Sequence, residues 1–210
     1  MYKKLTEEQI EALTEAGINE FAEKGFDRAN LSVIAKNAGL SVGVIYKYYA
    51  DKEALFLACV KNCLKALNDA LKEVAFKSDD VMASIQSVIH TLITHAKEHK
   101  NINRMYHEIT AGGAKQYSKM LAEEVEGISA LVYTDLLRKA QQEGLCRKDA
   151  DPAMFAFFFD NLFMMLQFSF CCDYYRERIK LYCGDDIFNN EEKIETELCK
   201  FLKGAIGIEG

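Results

Sequence analysis

Between Asn30 and Leu55 the chain reads NLSVIAKNAGLSVGVIYKYYADKEAL. This stretch gathers the groups best suited to meeting a phosphate. Arg28, Lys36, Lys47 and Lys52 are opposed only by Asp51 and Glu53 between residues 28 and 55. The formal net charge of all 210 residues is −6, so this is a local basic edge on an acidic chain. Lys3 and Lys4 add a basic arm. Gly43 falls near the start of an expected helix, where glycine costs about 1 kcal/mol relative to alanine. A residue that costs stability there makes sense where the backbone must come close to a phosphate or a base edge.

The elements that must position these groups follow from the same stretch. Asn30 caps a short helix from about Leu31 to Ala38, with Ile34 and Ala35 facing inward. Ala35 is small enough for the next helix to cross closely over it. Gly39 supplies a left-handed turn and Leu40 plugs the joint. Ser41 caps a third helix, Val42 to about Tyr49, on which Ile45 and Tyr49 point back to the first helix. Val42, Gly43, Val44, Tyr46, Lys47 and Tyr48 are left outward, although Tyr48 suits core and contact equally. This is the physics of a helix-turn-helix.

Helical periodicity extends along the whole chain. Thr6, followed by Glu7, Glu8 and Gln9, caps a first helix whose buried stripe is Ile10, Leu13, Gly17 and Phe21, and Gly25 stops it. Asp51 caps a long fourth helix to about Phe76. Ser78, Asp79 and Asp80 open a fifth, Val81 to about Lys100. A sixth runs near Ile102 to Thr110 and ends at Gly112 and Gly113. A seventh spans about Lys115 to Glu143 and stops at Gly144. Asp151 and Pro152 start an eighth, very apolar helix to about Tyr182. Glu191 to about Ala205 forms the ninth. No strand-like alternation interrupts this pattern. The expected fold is all-α with about nine helices: a three-helix N-terminal domain, 1–50, then a larger helical domain, 51–210.

Other residue types with chemical potential have plainer readings. His95 and His99, with His107 beyond, have the spacing of a helical metal pair, but their setting, HAKEHKN, reads as a solvated face, so no metal is expected. The seven cysteines are scattered, with Cys59 and Cys63 one turn apart and Cys171 beside Cys172. They read as free thiols in a reducing cytoplasm rather than as a redox switch. Nucleophile elbow, phosphate-cradling glycine loop and metal-ligand trio are all missing from the sequence, so neither an enzyme nor a cofactor is expected. Ala153 to Cys172 is long enough to span a bilayer, but Asp160, Asn161 and Gln167 sit inside it, and a buried core or interface helix fits better.

With Ile34, Ala35, Ala38, Gly39, Leu40, Ser41, Gly43, Ile45, Tyr46, Tyr48, Tyr49, Lys52, Glu53 and Leu55 at their offsets, the stretch resembles the TetR family of bacterial regulators. The resemblance implies a homodimeric DNA-binding protein. Tyr46 would hydrogen-bond a phosphate through its hydroxyl, Lys47 would pair with the DNA backbone, and Lys52 would touch a phosphate from the opposite side. Ser41, Val42, Gly43 and Val44 would face major-groove bases, with Asn30 and Tyr48 at the edge of the contact. The family often has Thr at the position of Asn30 and a polar residue at Val42 or Val44. Two valines offer methyl contacts to thymine and no hydrogen bonds, which puts operator choice in question.

The resemblance also implies that the later helices form a ligand cavity and, through the last two, the dimer interface. Independently of it, Phe155, Phe157, Phe158, Phe159, Phe163, Met164, Met165, Phe168 and Phe170 crowd one helix, so one side can meet a partner subunit and another the interior. Phe158, Leu162 and Met165 are the expected apolar contacts to an effector, and Tyr106, Tyr117, Tyr133 and Asn161 the polar ones, with Gln167 beside them. The expected function is ligand-responsive regulation of transcription, as a repressor released from a palindromic operator by a small, largely apolar or aromatic effector. A co-regulator on the same fold that has given up DNA and binds another protein is the rival.

Overall fold

The computed structural model describes residues 5–75, 77–78, 80–111 and 118–207. Among them there are ten α-helices, one 3-10 turn and no strand. The helices are α1 (Glu7–Arg28), α2 (Leu31–Asn37), α3 (Val42–Tyr48), α4 (Lys52–Ala75), α5 (Val81–Glu98), α6 (Lys100–Thr110), α7 (Ser118–Gln142), α8 (Pro152–Cys171), α9 (Asp173–Cys183) and α10 (Glu191–Ile206), with the 3-10 turn at Asp185–Asn189. Lys3, Lys4, Phe76, Asp79, Gly112, Gly113, Lys115 and Tyr117, all of which carried an expectation, lie outside the described residues.

The helix starts follow local capping chemistry. Thr6 and Gln9 form a reciprocal capping box at α1. Asp80 accepts from the Met82 and Ala83 N–H groups at α5, and Asp151 accepts from Met154 N–H ahead of Pro152 at α8. Gly25 breaks α1 as expected, with φ at 72°, and a short turn carries the element on to Arg28. Ile10 departs from expectation: it is exposed, and the buried stripe of α1 begins only at Leu13.

A further departure is the helix expected to run unbroken to Tyr182. It stops at Cys171, because Cys172 is extended (φ −114°, ψ 126°) while its N–H still bonds the Phe168 carbonyl. The composition changes at that point from apolar to DYYRERIK. The break lets α9 fold back along α8, with Tyr175 against Phe168 at 5.4 Å between ring centroids. This is why the described residues hold ten helices rather than nine.

The described residues fall into two compact units, drawn from 1–65 with 101–121 and from 66–100 with 122–210. In the first, Leu13, Phe21, Ile34, Ala35, Ile45, Leu55 and Phe56 form the core. Phe56 meets Phe21 and Phe26 edge-on, each at 5.0 Å between centroids. Gly17 is needed here: a methyl group in its place would stand 2.7 Å from the Cys59 sulfur on α4. In the second unit, α5, α7, α8 and α10 bury Val88, Ile89, Leu136, Phe159, Phe163 and Leu202 together. His90 pairs with Glu195 at 2.9 Å and Lys97 with Glu191 at 2.8 Å, joining α5 to α10. By length and composition α8 could cross a membrane. Here its Ala156, Phe159, Phe163, Leu166 and Phe170 pack into the core of this unit.

A candidate nucleic-acid interface and a candidate effector site

The turn between α2 and α3 has a specific cause. Gly39 takes φ at 66°, which a side chain disfavours. Its N–H bonds the Lys36 carbonyl at 3.1 Å, and Leu40 N–H bonds the Ala35 carbonyl at 2.8 Å. These are the paired bonds of a Schellman turn, and they set the crossing of the two short helices. Ahead of α2, the buried Glu20 carboxylate accepts from Asn30 N–H at 3.1 Å, while the Asn30 side chain accepts from Ser32 N–H at 2.8 Å. Asn30 therefore has a capping task of its own.

With Ile45 fully buried beneath it, α3 presents its other side to solvent. Tyr46 is 56 % exposed, and Gly43 and Lys47 are exposed, while Val42 and Val44 are half-buried. Ser41 stands at the N-cap without a side-chain hydrogen bond to the helix. A methyl group added at Gly43 would meet nothing closer than the Ser41 hydroxyl at 3.9 Å. Nothing inside the described chain therefore demands a glycine there. Lys36 and Arg28 are also exposed, and Arg28 donates from Nε to the Lys24 carbonyl at 3.1 Å.

Two expected contact residues have internal duties. The Tyr48 hydroxyl oxygen accepts from Leu5 N–H, holding the segment ahead of α1. Lys52 Nζ donates to the carbonyls of Asp27 at 2.9 Å and Ala29 at 3.3 Å and lies 4.9 Å from the Phe26 ring centroid. An ammonium has three donors, so one remains after these two bonds. Tyr49 is half-buried, and burial, with Cys59 beside it, raises its pKa.

The residues expected at an effector do not gather at one place. Tyr133, buried on α7, meets Phe163 edge-on at 5.5 Å. Both line an apolar recess with Ile85, Val88, Leu136 and Phe159, with a cavity volume of about 10 Å³. That holds one water at most. Met165 lines a different feature, a groove of about 410 Å³ between α8 and α9. Phe158 (49 % exposed) and Leu162 share the exposed side of α8 with Met154 and Phe157 (60 % exposed). The Asn161 amide donates to the Phe157 carbonyl one turn back at 2.7 Å. Tyr106 is half-buried on α6, in the first unit.

The histidine expectation needs correction. His95 is largely buried, with both ring nitrogens unpartnered, and its ring lies 4.7 Å from that of His99. Burial first, then His99, pushes its pKa down to about 4, which keeps it neutral. No group of three or more metal-ligating side chains occurs among the described residues. The Cys59 thiol is pushed well up by burial and then by Cys63; burial takes Cys63 to about 12. Neither forms a reactive thiolate at neutral pH. The sequence offers Asp160 only as an obstacle to a membrane span. The structure sets it near Glu126 and Tyr133, with its pKa raised to about 7 by burial first and then by Glu126.

A glycine-hinged helix pair that buries Ile45 and exposes Tyr46 defines a helix-turn-helix protein. Residues 13–59 match the family model described as bacterial regulatory proteins, tetR family. That match assigns residues 13–59 to this family's N-terminal domain. It is 31 % identical over 99 residues to the uncharacterized HTH-type transcriptional regulator YvdT of Bacillus subtilis, covering 47 % of this chain and 51 % of that one. The chain thus spans about half the length of the curated relatives it matches. Among solved structures, a tetR-family regulatory protein from Rhodococcus RHA1 has the same fold at a TM-score of 0.73 and 17 % identity, over 98 % of this chain and 100 % of that one. The fatty acid degradation regulator FadR from Bacillus halodurans matches at a TM-score of 0.70 and 17 % identity, over 99 % and 98 % of the two chains.

Proposed function

We propose that the chain is a cytoplasmic, homodimeric, ligand-responsive DNA-binding regulator of transcription, acting as a repressor that a small, largely apolar or aromatic effector releases from a palindromic operator. The observation that carries this reading is the outer side of α3, where Tyr46 is exposed and Gly43 has open space around it. The match of residues 13–59 to a family of bacterial regulatory proteins supports it.

Residues 1–50 grip DNA in this reading. Tyr46 and Lys47 meet phosphate, the free donor of Lys52 meets a second phosphate, and Ser41, Val42, Gly43 and Val44 lie against base edges. Asn30 and Tyr48 hold the ends of the unit in place for this contact. Residues 51–210 sense the effector and dimerise through α8 and α10. On those helices Met154, Phe157, Phe158, Leu162 and Phe201 are exposed apolar side chains of the kind a partner subunit covers. The effector would stabilise a form in which the two copies of α3 no longer match successive major grooves, about 34–36 Å apart. α4 begins in one unit and ends in the other, so its tilt is the lever.

The test is salt-dependent binding to the DNA beside the chain's own gene. A steep fall in affinity with salt, and weaker binding by Tyr46→Phe and Lys52→Ala, is the expected result. Affinity independent of salt, or unchanged in both variants, would leave the protein-interaction reading in its place.

A further inference from the structure

Cys171 and Cys172 meet where neighbouring side chains ordinarily part. Consecutive residues of a helix do not face each other, and those of a strand point to opposite faces. Here Cys171 ends α8 and Cys172 is extended, with φ at −114° and ψ at 126°. That change of backbone between the two brings their sulfurs to 3.6 Å. The Cys171 sulfur also lies 3.5 Å from the Gln167 carbonyl one turn back and 3.9 Å from that of Phe168, contacts that hold it in place. Cys171 is buried and Cys172 half-buried, so the pair has an inner and an outer thiol. Ser169 and Tyr175, on either side of it in the chain, line the groove between α8 and α9.

Two thiols in this arrangement suit a third atom between them better than a bond to each other. Adjacent Cα atoms stand about 3.8 Å apart, short of the roughly 4.4–6.8 Å that disulfides span. A tetrahedral ion such as zinc accepts the sulfur spacing but needs four ligands. No group of three or more His, Cys, Asp and Glu side chains that could hold a metal occurs among the described residues. A linear two-coordinate ion would force the sulfurs to opposite sides of itself. A pyramidal, three-coordinate thiophile fits: trivalent arsenic takes two sulfurs on one side and keeps one oxygen or carbon substituent.

We propose that Cys171 and Cys172 form a chelating site for a trivalent arsenical of the arsenous acid type. Arsenous acid and the two thiols give a dithiolate bridge that keeps one As–OH group, together with two molecules of water. Two As–S bonds form while two As–O and two S–H bonds break, and each thiol proton leaves with a departing hydroxide. No atom changes oxidation state. Cys172, the outer thiol, reacts first, and Cys171, 3.6 Å away, closes the ring. The second step is intramolecular, so the pair holds arsenic roughly 10²–10⁴-fold more tightly than a single thiol does. The site stands whether or not the chain binds DNA.

Arsenite and phenylarsine oxide are the probes, the second because it has room for two sulfurs only. Uptake is read by native mass spectrometry on the full, reduced chain. Wild type should take up one equivalent, which an excess of 2-mercaptoethanol leaves in place and dithiothreitol removes. Cys171→Ser and Cys172→Ser should each weaken uptake by about a hundredfold. Cys183→Ser, which removes an exposed single thiol, should leave it unchanged. Cys172→Ser keeps the test clear of misfolding, since Cys172 stands at the N-cap of α9, where serine is favoured. Uptake that survives both substitutions would put the arsenical elsewhere, with Cys59 and Cys63 the next pair, and would overturn the proposal. Loss of uptake in Cys183→Ser, or no uptake by wild type, would do the same. Zinc held as firmly by the same two sulfurs would overturn the choice of arsenic.

Discussion

Lys52 Nζ donates a 2.9 Å hydrogen bond to the Asp27 carbonyl, so the first residue of α4 ties down the chain leaving α1. With the second bond to Ala29 and the Phe26 ring beneath it, Lys52 is a structural clamp in the absence of any partner. Lys52→Ala should lower stability by about 1 kcal/mol, read as a lower urea midpoint at unchanged slope. On DNA it should also reduce the salt slope by about one phosphate contact. Lys47→Ala, at an exposed position on α3, should reduce that slope similarly. A Lys52→Ala variant with the wild-type urea midpoint would remove the clamp.

Gly43 allows stability and function to be separated. Open space around it means that alanine fits, and the helix gains from the change. Gly43→Ala should therefore raise stability by up to about 1 kcal/mol. Operator affinity should fall in the same variant, because the added methyl group stands where the backbone approaches DNA. A variant that is more stable and binds as well as wild type would show that nothing comes close at Gly43.

Gly17 presents the opposite case. A methyl group there would lie 2.7 Å from the Cys59 sulfur, and α1 and α4 would have to part. Gly17→Ala should destabilise by about 1–3 kcal/mol, as overpacked cores do. Adding Cys59→Ala removes the colliding atom, so the double variant should recover most of the loss. Additive losses in the thermodynamic cycle would point to a different cause.

These cases show why the sequence was readable in some places and silent in others. The helix-turn-helix depends on local spacing: Ala35, Gly39, Leu40 and Ile45 act within a dozen residues, and the structure puts each where its type predicts. The all-α class follows equally from periodicity and caps. The break at Cys172 has no local breaker residue, and it depends on α9 finding a surface on α8. Whether Phe158 and Leu162 face inward also depends on packing, since a helix apolar on nearly every side carries no sign of which face is covered. Asp160, Glu126 and Tyr133 come together only through the pairing of α7 with α8, which no spacing along the chain reveals.

The exposed side of α8 makes a prediction about assembly. Phe157 is 60 % exposed and Phe158 49 %, with Met154 and Leu162 beside them. Phe157→Lys combined with Leu162→Glu places charge on that surface without touching the core residues Phe159 and Phe163. Sedimentation at micromolar concentration should show wild type as a dimer and the variant as a folded monomer, with operator affinity lost alongside. A wild-type monomer would end the dimeric reading.

The last expectation concerns pH. Burial, then Glu126, pushes the Asp160 carboxyl up to about 7, whereas in an unfolded chain it titrates near the ordinary aspartate value of about 4. Between those values the folded chain holds a proton that the unfolded chain has lost. The contribution of Asp160 to stability is therefore fully present below about 4 and disappears as pH rises through about 7. Asp160→Asn, which keeps the shape and cannot ionise, should flatten that decline, so that the variant is more stable than wild type above 7. Urea midpoints on both sides of 7 measure this directly. If the variant lost stability in parallel with wild type across the range, the carboxyl would be ionised in the folded chain well below 7. Asp160 would then be paired with a cation already.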